Sequence, residues 1–243
     1  MISPELKIMM RTNLERWFDH SVDEASRTIY LGSIGSTDDE ESGVDHLMAE
    51  RLIKGMSFLE NRSNKPIRIL MNNPGGNWYH GMAIYDAIRL SSCHCTIVVY
   101  GYAMSMGSVI LQAADVRVMM PNSRVMIHYG SDGAYGHSKI FEKLAQETRR
   151  INLEMENIYL DSIMKKDEEM GQGHIEGVFS SIFEGQGEML SPKFKKIKLS
   201  VDPDKRREGV RILLRELLNF DTYLTPEETV DLGLADSVHG REE

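Results

Sequence analysis

The chain has 243 residues, and its 37 Asp and Glu outnumber its 28 Lys and Arg, which gives a formal net charge of −9. A chain of this length can bury a sizeable core without disulfides, and its 41% hydrophobic and 27% charged residues indicate an ordinary globular protein. The acidic balance argues against a nucleic-acid partner, because phosphate binding needs clustered Lys and Arg. No uncharged apolar run approaches the ~18 residues of a membrane span, so we expect no membrane partner either.

Acidic residues near the N-terminus argue against a targeting peptide there. Glu5, Glu15 and Asp19 fit neither a secretory signal nor an acid-poor transit peptide. Cys93 and Cys95 are the only cysteines, too few for a disulfide framework, and the single residue between them would strain a mutual bridge. We therefore expect two reduced cysteines and a cytoplasmic protein.

Hydrophobic spacing predicts strands that alternate with helices in the first half of the chain. Residues 1–24 fit a short amphipathic helix. After it, in chain order, we predict a strand at 27–32, a loop at 33–42, a helix at 43–60, a strand at 67–71, a tight turn at 72–77, a helix at 80–90, a strand at 96–100, a helix at 105–114, and strands at 116–120 and 124–128. This alternation predicts an α/β fold with parallel strand pairing.

A long helix is predicted at 138–164, and the composition changes after it. Residues 167–188 hold six acids and no Lys or Arg, whereas residues 192–215 hold nine Lys and Arg against three acids. The two parts are expected to attract each other, or the segment is a solvated insertion without a specific role. Its glycines and polar residues predict that it adds nothing to the core. Further on, a helix start is predicted at 225–228, with Thr225 as the N-cap, Pro226 at the first helical position and Glu228 at the third.

Ser105 lies where a buried strand is predicted to end and a helix to begin. In the run AMSMG at 103–107, small residues on either side of the serine allow a sharp turn that exposes the hydroxyl, although the strict G-x-S-x-G pattern is not met. The N–H of Met106 would point at whatever Ser105 attacks. A serine at a helix N-terminus is more often a simple cap, so both interpretations stay open at this point.

Three further positions combine a functional interpretation with a structural one. The Gly75-Gly76 turn, between a strand and a helix, permits positive φ and exposes N–H groups to an oxyanion, or it is only a turn. His128 ends the strand RVMIH and is either a positioned base or a hydrogen-bonded core histidine. Asp221 precedes a helix and, taken alone, fits a solvated loop residue.

Four motifs considered together resemble the ClpP family, the proteolytic subunits of the ATP-dependent Clp proteases. The agreement extends to the flanks of the motifs and covers roughly residues 27–165 and 219–238. The matching motifs are PGG at 74–76, A-x-S-M-G at 103–107, P-N-S-x-V-M-I-H at 121–128 and D-x-Y-L-T-x-E-E at 221–228, with GMAIYD at 81–86 and DLGLAD at 231–236 as flanking matches.

The resemblance implies an α/β fold of the ClpP/crotonase type, with repeated ββα units and a protruding handle helix. It divides the chain into an N-terminal segment at 1–26 and a protease domain at 27–243, with an insertion at about 167–215. The insertion roughly doubles the usual spacing between the family's catalytic histidine and aspartate.

Carried over residue by residue, the resemblance implies a Ser-His-Asp triad. Ser105 resembles the nucleophile, His128 the general base and Asp221 the carboxylate that orients the base. Gly76 and Met106 would donate the two N–H groups of the oxyanion hole.

The same resemblance implies a serine endopeptidase that hydrolyses unfolded polypeptides inside an oligomeric ring chamber. The chain would form a homo-oligomeric ring, a heptamer or a stacked double ring. It would hold no cofactor and no metal itself, and ATP would be used by a separate AAA+ unfoldase of the ClpX, ClpA or ClpC type.

The sequence departs from the family pattern at four places near these motifs. The serine of the usual Ser-Pro-Gly-Gly is Asn73, which leaves the two glycines unchanged. The usual Gln-Pro after the histidine is Tyr129-Gly130, the Asp-Arg pair before the aspartate is Asn219-Phe220, and the tyrosine of the ATPase dock aligns with Leu70. Two alternative functions stay open. One is a catalytically weak or inactive ClpP-like ring subunit, and the other is an acyl-CoA enzyme of the crotonase superfamily.

Overall fold

The computed structural model describes residues 4–33, 42–130, 138–171, 173–186 and 199–241, with side chains from Thr12 onward. The loop predicted at 33–42 therefore falls mostly outside the described residues. The chain divides into two compact units, one ending at Ser123 and the other beginning at Arg124.

Five strands form the sheet of the first unit among its described residues. In sheet order they are β1 (Val22–Asp23), β2 (Thr28–Gly32), β3 (Ile67–Asn73), β4 (Cys95–Met104) and β5 (Val116–Met119). β1 is antiparallel to β2, and the other neighbours are parallel, as predicted. Ile67, Ile69 and Met71, which share one face of β3, are fully buried, whereas Arg68 and Leu70 between them are exposed or partly exposed. The alternation shows that one face of the sheet carries the core of this unit.

Three of the four helices of the first unit, all but the first, provide the crossovers that parallel strands require. The four are α1 (Pro4–His20), α2 (His46–Glu60), α3 (Trp78–Arg89) and α4 (Met106–Leu111). α2 begins where the Asp45 carboxylate accepts a hydrogen bond from the Met48 N–H, and Asn77 caps α3 in the same way through the His80 N–H. In the part of the chain described, no helix is both long and apolar enough to cross a membrane.

The two cysteines lie near the start of β4. Both are buried and neither is bridged. Burial raises the pKa of Cys95 to about 11, so its thiol stays protonated and unreactive near neutral pH.

The second unit combines an antiparallel pair of short strands with helices. Its elements are β6 (Arg124–Ile127), α5 (Ser138–Met170), α6 (His174–Gly185), α7 (Pro203–Leu218), β7 (Thr222–Leu224), α8 (Pro226–Asp231) and β8 (Ser237–Val238). β6 pairs antiparallel with β7, with Val125 opposite Leu224 and Ile127 opposite Thr222. The predicted start of α8 is confirmed as a capping box in which Thr225 and Glu228 each accept the other's backbone N–H.

The prediction that the segment after the long helix adds no core is wrong. α6 and α7 both fall in that segment, and each buries one apolar face. The buried side chains are Ile175, Phe179, Ile182 and Phe183 of α6, and Val210, Leu213, Leu214, Leu217 and Leu218 of α7. Helical spacing of these residues concentrates enough apolar area on one side to offset the ordering entropy. Residues 187–198 of the segment lie outside the described residues.

An ion-pair cluster joins the acidic and basic parts of that segment, as the charge pattern predicts. Arg206 donates from Nε to Asp167 Oδ2 at 2.5 Å and from Nη2 to Oδ1 at 2.7 Å, and also donates to Glu176 at 3.1 Å. The side chains of Arg206 and Asp167 are only 10% and 5% exposed. The hydrogen bonds to Asp167 raise the pKa of Arg206 above its ordinary value, so the guanidinium stays charged although it is buried.

We expect Arg206→Ala to lower the free energy of unfolding by about 3–5 kcal/mol, because Asp167 would stay buried without its partner. Arg207→Ala is the matched control. The Arg207–Asp161 pair is well exposed, so its loss should cost at most about 1 kcal/mol. Urea unfolding followed by circular dichroism measures both changes. Equal losses in the two variants would contradict the role given to the buried pair.

Candidate active site

The Gly75-Gly76 turn follows β3 and is held by the side chain of Asn73. The Asn73 amide is fully buried. Its Oδ1 accepts the Gly75 N–H at 2.8 Å, and its Nδ2 lies 3.2 Å from Met48 Sδ. Gly75 and Gly76 have φ values of +94° and +141°, which only glycine adopts without strain. This role of Asn73 was not predicted from the sequence, although an Asn side chain that bonds the backbone two residues on is a known turn signal.

Ser105 is the single residue between the end of β4 and the start of α4. Its φ of +50° and ψ of −121° are rare for a residue with a side chain and store backbone strain. The Ser105 side chain makes no capping hydrogen bond, so the interpretation as a simple N-cap is wrong. The Ser105 carbonyl accepts from the N–H of Ser108 at 3.0 Å and from the Ser108 hydroxyl at 2.6 Å.

The glycine turn and the serine elbow are in close contact within the first unit. A Cβ added to Gly75 would lie 2.6 Å from Ser105 Cβ, 2.7 Å from the Met104 carbonyl oxygen and 3.0 Å from the Met106 nitrogen. A Cβ added to Gly107 would lie 2.9 Å from the Asn73 carbonyl oxygen. The two glycines therefore let the backbones approach at a distance that no side chain permits.

Two backbone N–H groups beside this contact have no hydrogen-bond partner within the described residues. The Gly75 N–H is used by Asn73. The bridge to Val44 engages the Gly75 carbonyl and the Asn77 N–H, which leaves the N–H of Gly76 unused. Met106 begins α4, so its N–H has no acceptor within the helix. Gly76 and Met106 thus keep the donors that an oxyanion hole needs.

His128 and Asp221 are brought together in the second unit by the register of β6 and β7. Ile127 lies opposite Thr222, so the next antiparallel pair is His128 with Asp221. His128 Nδ1 is 3.0 Å from Asp221 Oδ1, and the two side chains are 24% and 63% exposed. The interpretation of His128 as a core histidine is incomplete, because its side chain is partly accessible. The interpretation of Asp221 as a solvated loop residue is incomplete, because its carboxylate contacts His128.

This arrangement is able to orient and polarise an imidazole. A carboxylate at Nδ1 favours the tautomer with the proton on that nitrogen and leaves Nε2 as the base. Across the described ranges, no group of three or more His, Cys, Asp and Glu residues lies close enough to hold a metal ion. The five predicted site residues therefore form two local assemblies. Ser105, Gly76 and Met106 belong to the first unit, and His128 and Asp221 belong to the second.

We expect Gly75→Ala to lower the rate at which a fluorophosphonate labels Ser105 by about 100-fold, a loss typical of reacting groups misplaced by an ångström. The new methyl group would collide with the serine elbow and would also require a positive φ. Gly177→Ala is the control, since nothing lies within 4 Å of the corresponding Cβ position. Labelling is followed by peptide mass spectrometry. Unchanged labelling of a folded Gly75→Ala variant would show that the turn does not position the serine.

Comparison with known proteins assigns more than half of the chain to one family. The family model described as Clp protease matches residues 40–176, more than half of the chain. The matched region includes Ser105 and His128 and ends before Asp221. The ATP-dependent Clp protease proteolytic subunit of Deinococcus radiodurans is 37% identical over 119 residues, which is 48% of this chain and 58% of that relative. The chain thus matches less than two thirds of the length of the curated relative.

Proposed function

The chain belongs to the Clp protease family, and on that premise we propose that it is a serine endopeptidase that uses Ser105, His128 and Asp221. Its fold is of the ClpP type, an α/β arrangement around a mostly parallel sheet. The observation that carries the proposal is the geometry of Ser105. Its backbone is strained, its side chain makes no capping hydrogen bond, and it lies in close contact with the glycine turn. The preformed contact between His128 and Asp221 supports it from the second unit.

Acylation begins with transfer of a proton from the Ser105 hydroxyl to Nε2 of His128. The serine oxygen then forms a bond to the carbonyl carbon of the peptide. Asp221 accepts a hydrogen bond from Nδ1–H and stabilises the imidazolium. The tetrahedral intermediate collapses as the C–N bond breaks, and His128 gives its proton to the leaving amine. Water then cleaves the acyl-enzyme by the same sequence, with His128 as base and acid in turn.

The negative charge of each tetrahedral intermediate falls on the former carbonyl oxygen. We assign its stabilisation to the N–H groups of Gly76 and Met106, because both lie in the segments that meet at Ser105 and neither is used within the described chain. Donors fixed in advance need no reorganisation when the charge appears. This is the reason the glycine turn belongs to the proposed site.

Unfolded polypeptide inside a homo-oligomeric ring is the proposed substrate and setting. The first half of α5 supports such an assembly, since Ile140 and Phe141 are exposed there and apolar side chains exposed together are typical of contact surfaces. We assign this half of α5 to the handle. The name of the relative contains "ATP-dependent", and we assign that requirement to a separate AAA+ unfoldase.

We expect Ser105→Ala to abolish hydrolysis of a fluorogenic peptide, because the attacking oxygen is removed. Asp221→Asn should lower turnover by about 10⁴-fold, the loss for the same change in the serine-protease template. Asp231→Asn, at an exposed acid of the same unit, is the control and should leave the rate unchanged. Near-normal activity of Asp221→Asn would assign the third role to another acid. Turnover of an acyl-CoA without peptide hydrolysis would instead favour the crotonase-type alternative.

Native mass spectrometry tests the proposed assembly. We expect a mass equal to a heptamer or a stacked pair of heptamers of the 27.6 kDa chain, and the same mass for Ser105→Ala, because one hydroxyl contributes little to packing. A monomeric mass under conditions where the peptide is cleaved would show that no enclosed chamber is needed for the activity.

A further inference from the structure

The two residues that follow His128 make three hydrogen bonds inside the second unit. The Tyr129 N–H donates to the Leu218 carbonyl at 2.8 Å, and the Gly130 N–H donates to Asn152 Oδ1 at 3.2 Å. The Tyr129 hydroxyl donates to Glu156 Oε1 at 2.7 Å. The end of β6 is thus held by both α5 and the end of α7.

Asp221 is fastened to the same end of α7. The helix ends at Leu218, three residues before Asp221. The hydroxyl of Thr222 then donates to the Leu217 carbonyl at 2.7 Å. Because Tyr129 bonds to Leu218 and Thr222 bonds to Leu217, a shift of α7 would move both partners of the His128–Asp221 contact.

Glu156 on α5 fixes that end of α7. Its Oε2 accepts from Arg215 Nε at 3.0 Å and from Arg211 Nη1 at 3.5 Å. Arg211 also donates to Asn157 Oδ1 at 3.0 Å. The Glu156 side chain is only 6% exposed, and a carboxylate buried to this degree is stable only with such partners. One oxygen of Glu156 therefore binds Tyr129, and the other binds α7.

We propose that Glu156 is a positioning residue for the His128–Asp221 pair, acting through Tyr129 on one side and Arg215 on the other. Its catalytic consequence rests on the function proposed above. A single carboxylate that binds both flanks fixes their separation. The Nδ1–Oδ1 distance of 3.0 Å is then set by the geometry of Glu156 as well as by the β6–β7 register.

The Tyr129 hydroxyl is a dependable donor for this role. Burial is the main cause, and the hydrogen bond to Glu156 a smaller one, that raises the pKa of Tyr129 above its ordinary value. The hydroxyl therefore keeps its proton at every pH at which an imidazole acts as a base. The contact with Glu156 is maintained throughout that range.

Glutamine at position 156 would not replace the carboxylate. An amide has one acceptor oxygen and one NH₂ donor, whereas Tyr129 and Arg215 both donate. If the amide oxygen faces Tyr129, its NH₂ faces Arg215, which is also a donor. In the opposite orientation the oxygen accepts from Arg215, and the Tyr129 hydroxyl has to turn and accept from the NH₂ instead of donating to position 156. Glu156→Gln keeps the size of the side chain and removes the double acceptance together with the charge that binds Arg211 and Arg215. Tyr129→Phe removes only the hydroxyl.

Steady-state kinetics on a fluorogenic peptide gives the first test. We expect Glu156→Gln and Tyr129→Phe to lower kcat by about 10- to 100-fold, as misplaced catalytic groups do, with KM unchanged because neither residue is assigned to substrate. Asp161→Asn is the matched control, since Asp161 also lies on α5 and pairs with an α7 arginine but is exposed. A rise in KM alone, or an equal loss in the control, would overturn the proposal.

A double-mutant cycle separates positioning from a general loss of stability. If Glu156 acts through the pair, Glu156→Gln should slow fluorophosphonate labelling of Ser105 in the wild-type background and have little further effect in Asp221→Asn. The same fold-loss in both backgrounds would show that Glu156 acts elsewhere, and the proposal would fail.

Hydrogen exchange provides an arm that does not depend on activity. We expect faster exchange in peptides covering 126–130 and 218–223 of Glu156→Gln and Tyr129→Phe, and unchanged exchange in Asp161→Asn. If the two variants exchange faster, but the wild-type protein neither reacts with the fluorophosphonate nor hydrolyses peptide, the positioning role stands and the proposed function is refuted. Unchanged exchange together with unchanged kcat in an active protein would refute the positioning alone.

Discussion

The antiparallel register of β6 and β7 is the constraint on which the second unit depends. It aligns Ile127 with Thr222 and so sets His128 against Asp221, although 93 residues separate them in the sequence. A slip of one residue would turn every side chain of the pair to the opposite face. Two short strands have few ladder bonds with which to resist such a slip. The helices between them must therefore hold the register from outside.

The long segment between β6 and β7 meets that requirement by packing. Closing a longer loop adds little entropic cost, because the cost grows only with the logarithm of length. Extra chain is therefore tolerated if its last residues arrive in the correct place. α7 arrives correctly because its apolar face is buried and its arginines bind Asp167 and Glu156 on α5. The apparent insertion is thus part of what orients the proposed acid of the triad.

Local sequence patterns predicted the first unit more fully than the second. The strands and helices up to Ser123 have short, regular apolar spacing, and all but β1 were found within a few residues of their predicted limits. β1 lies inside the range 1–24 that was predicted as helix, because two residues are too few to show a strand pattern. β4 continues to Met104, past the predicted end at 100, because pairing of Ala103 with Asn73 extends the ladder. α6 and α7 were missed because glycines and charges dominate their composition, whereas their burial depends on partners distant in the sequence. Motif order indicated Asp221, but only the strand register explains its position.

The two local assemblies are stabilised by different physics, and this difference follows from their chemical tasks. Ser105 sits in a strained conformation that costs on the order of 1–3 kcal/mol. It is held there by close packing, since every residue of α4 is buried. The backbones at Gly75 and Gly107 approach too closely for a side chain to fit. His128 must change charge during the proposed reaction, and a dry apolar setting would oppose that change. Its surroundings are accordingly polar and partly open, and hydrogen bonds from α5 and α7 supply the rigidity that close packing supplies around the serine.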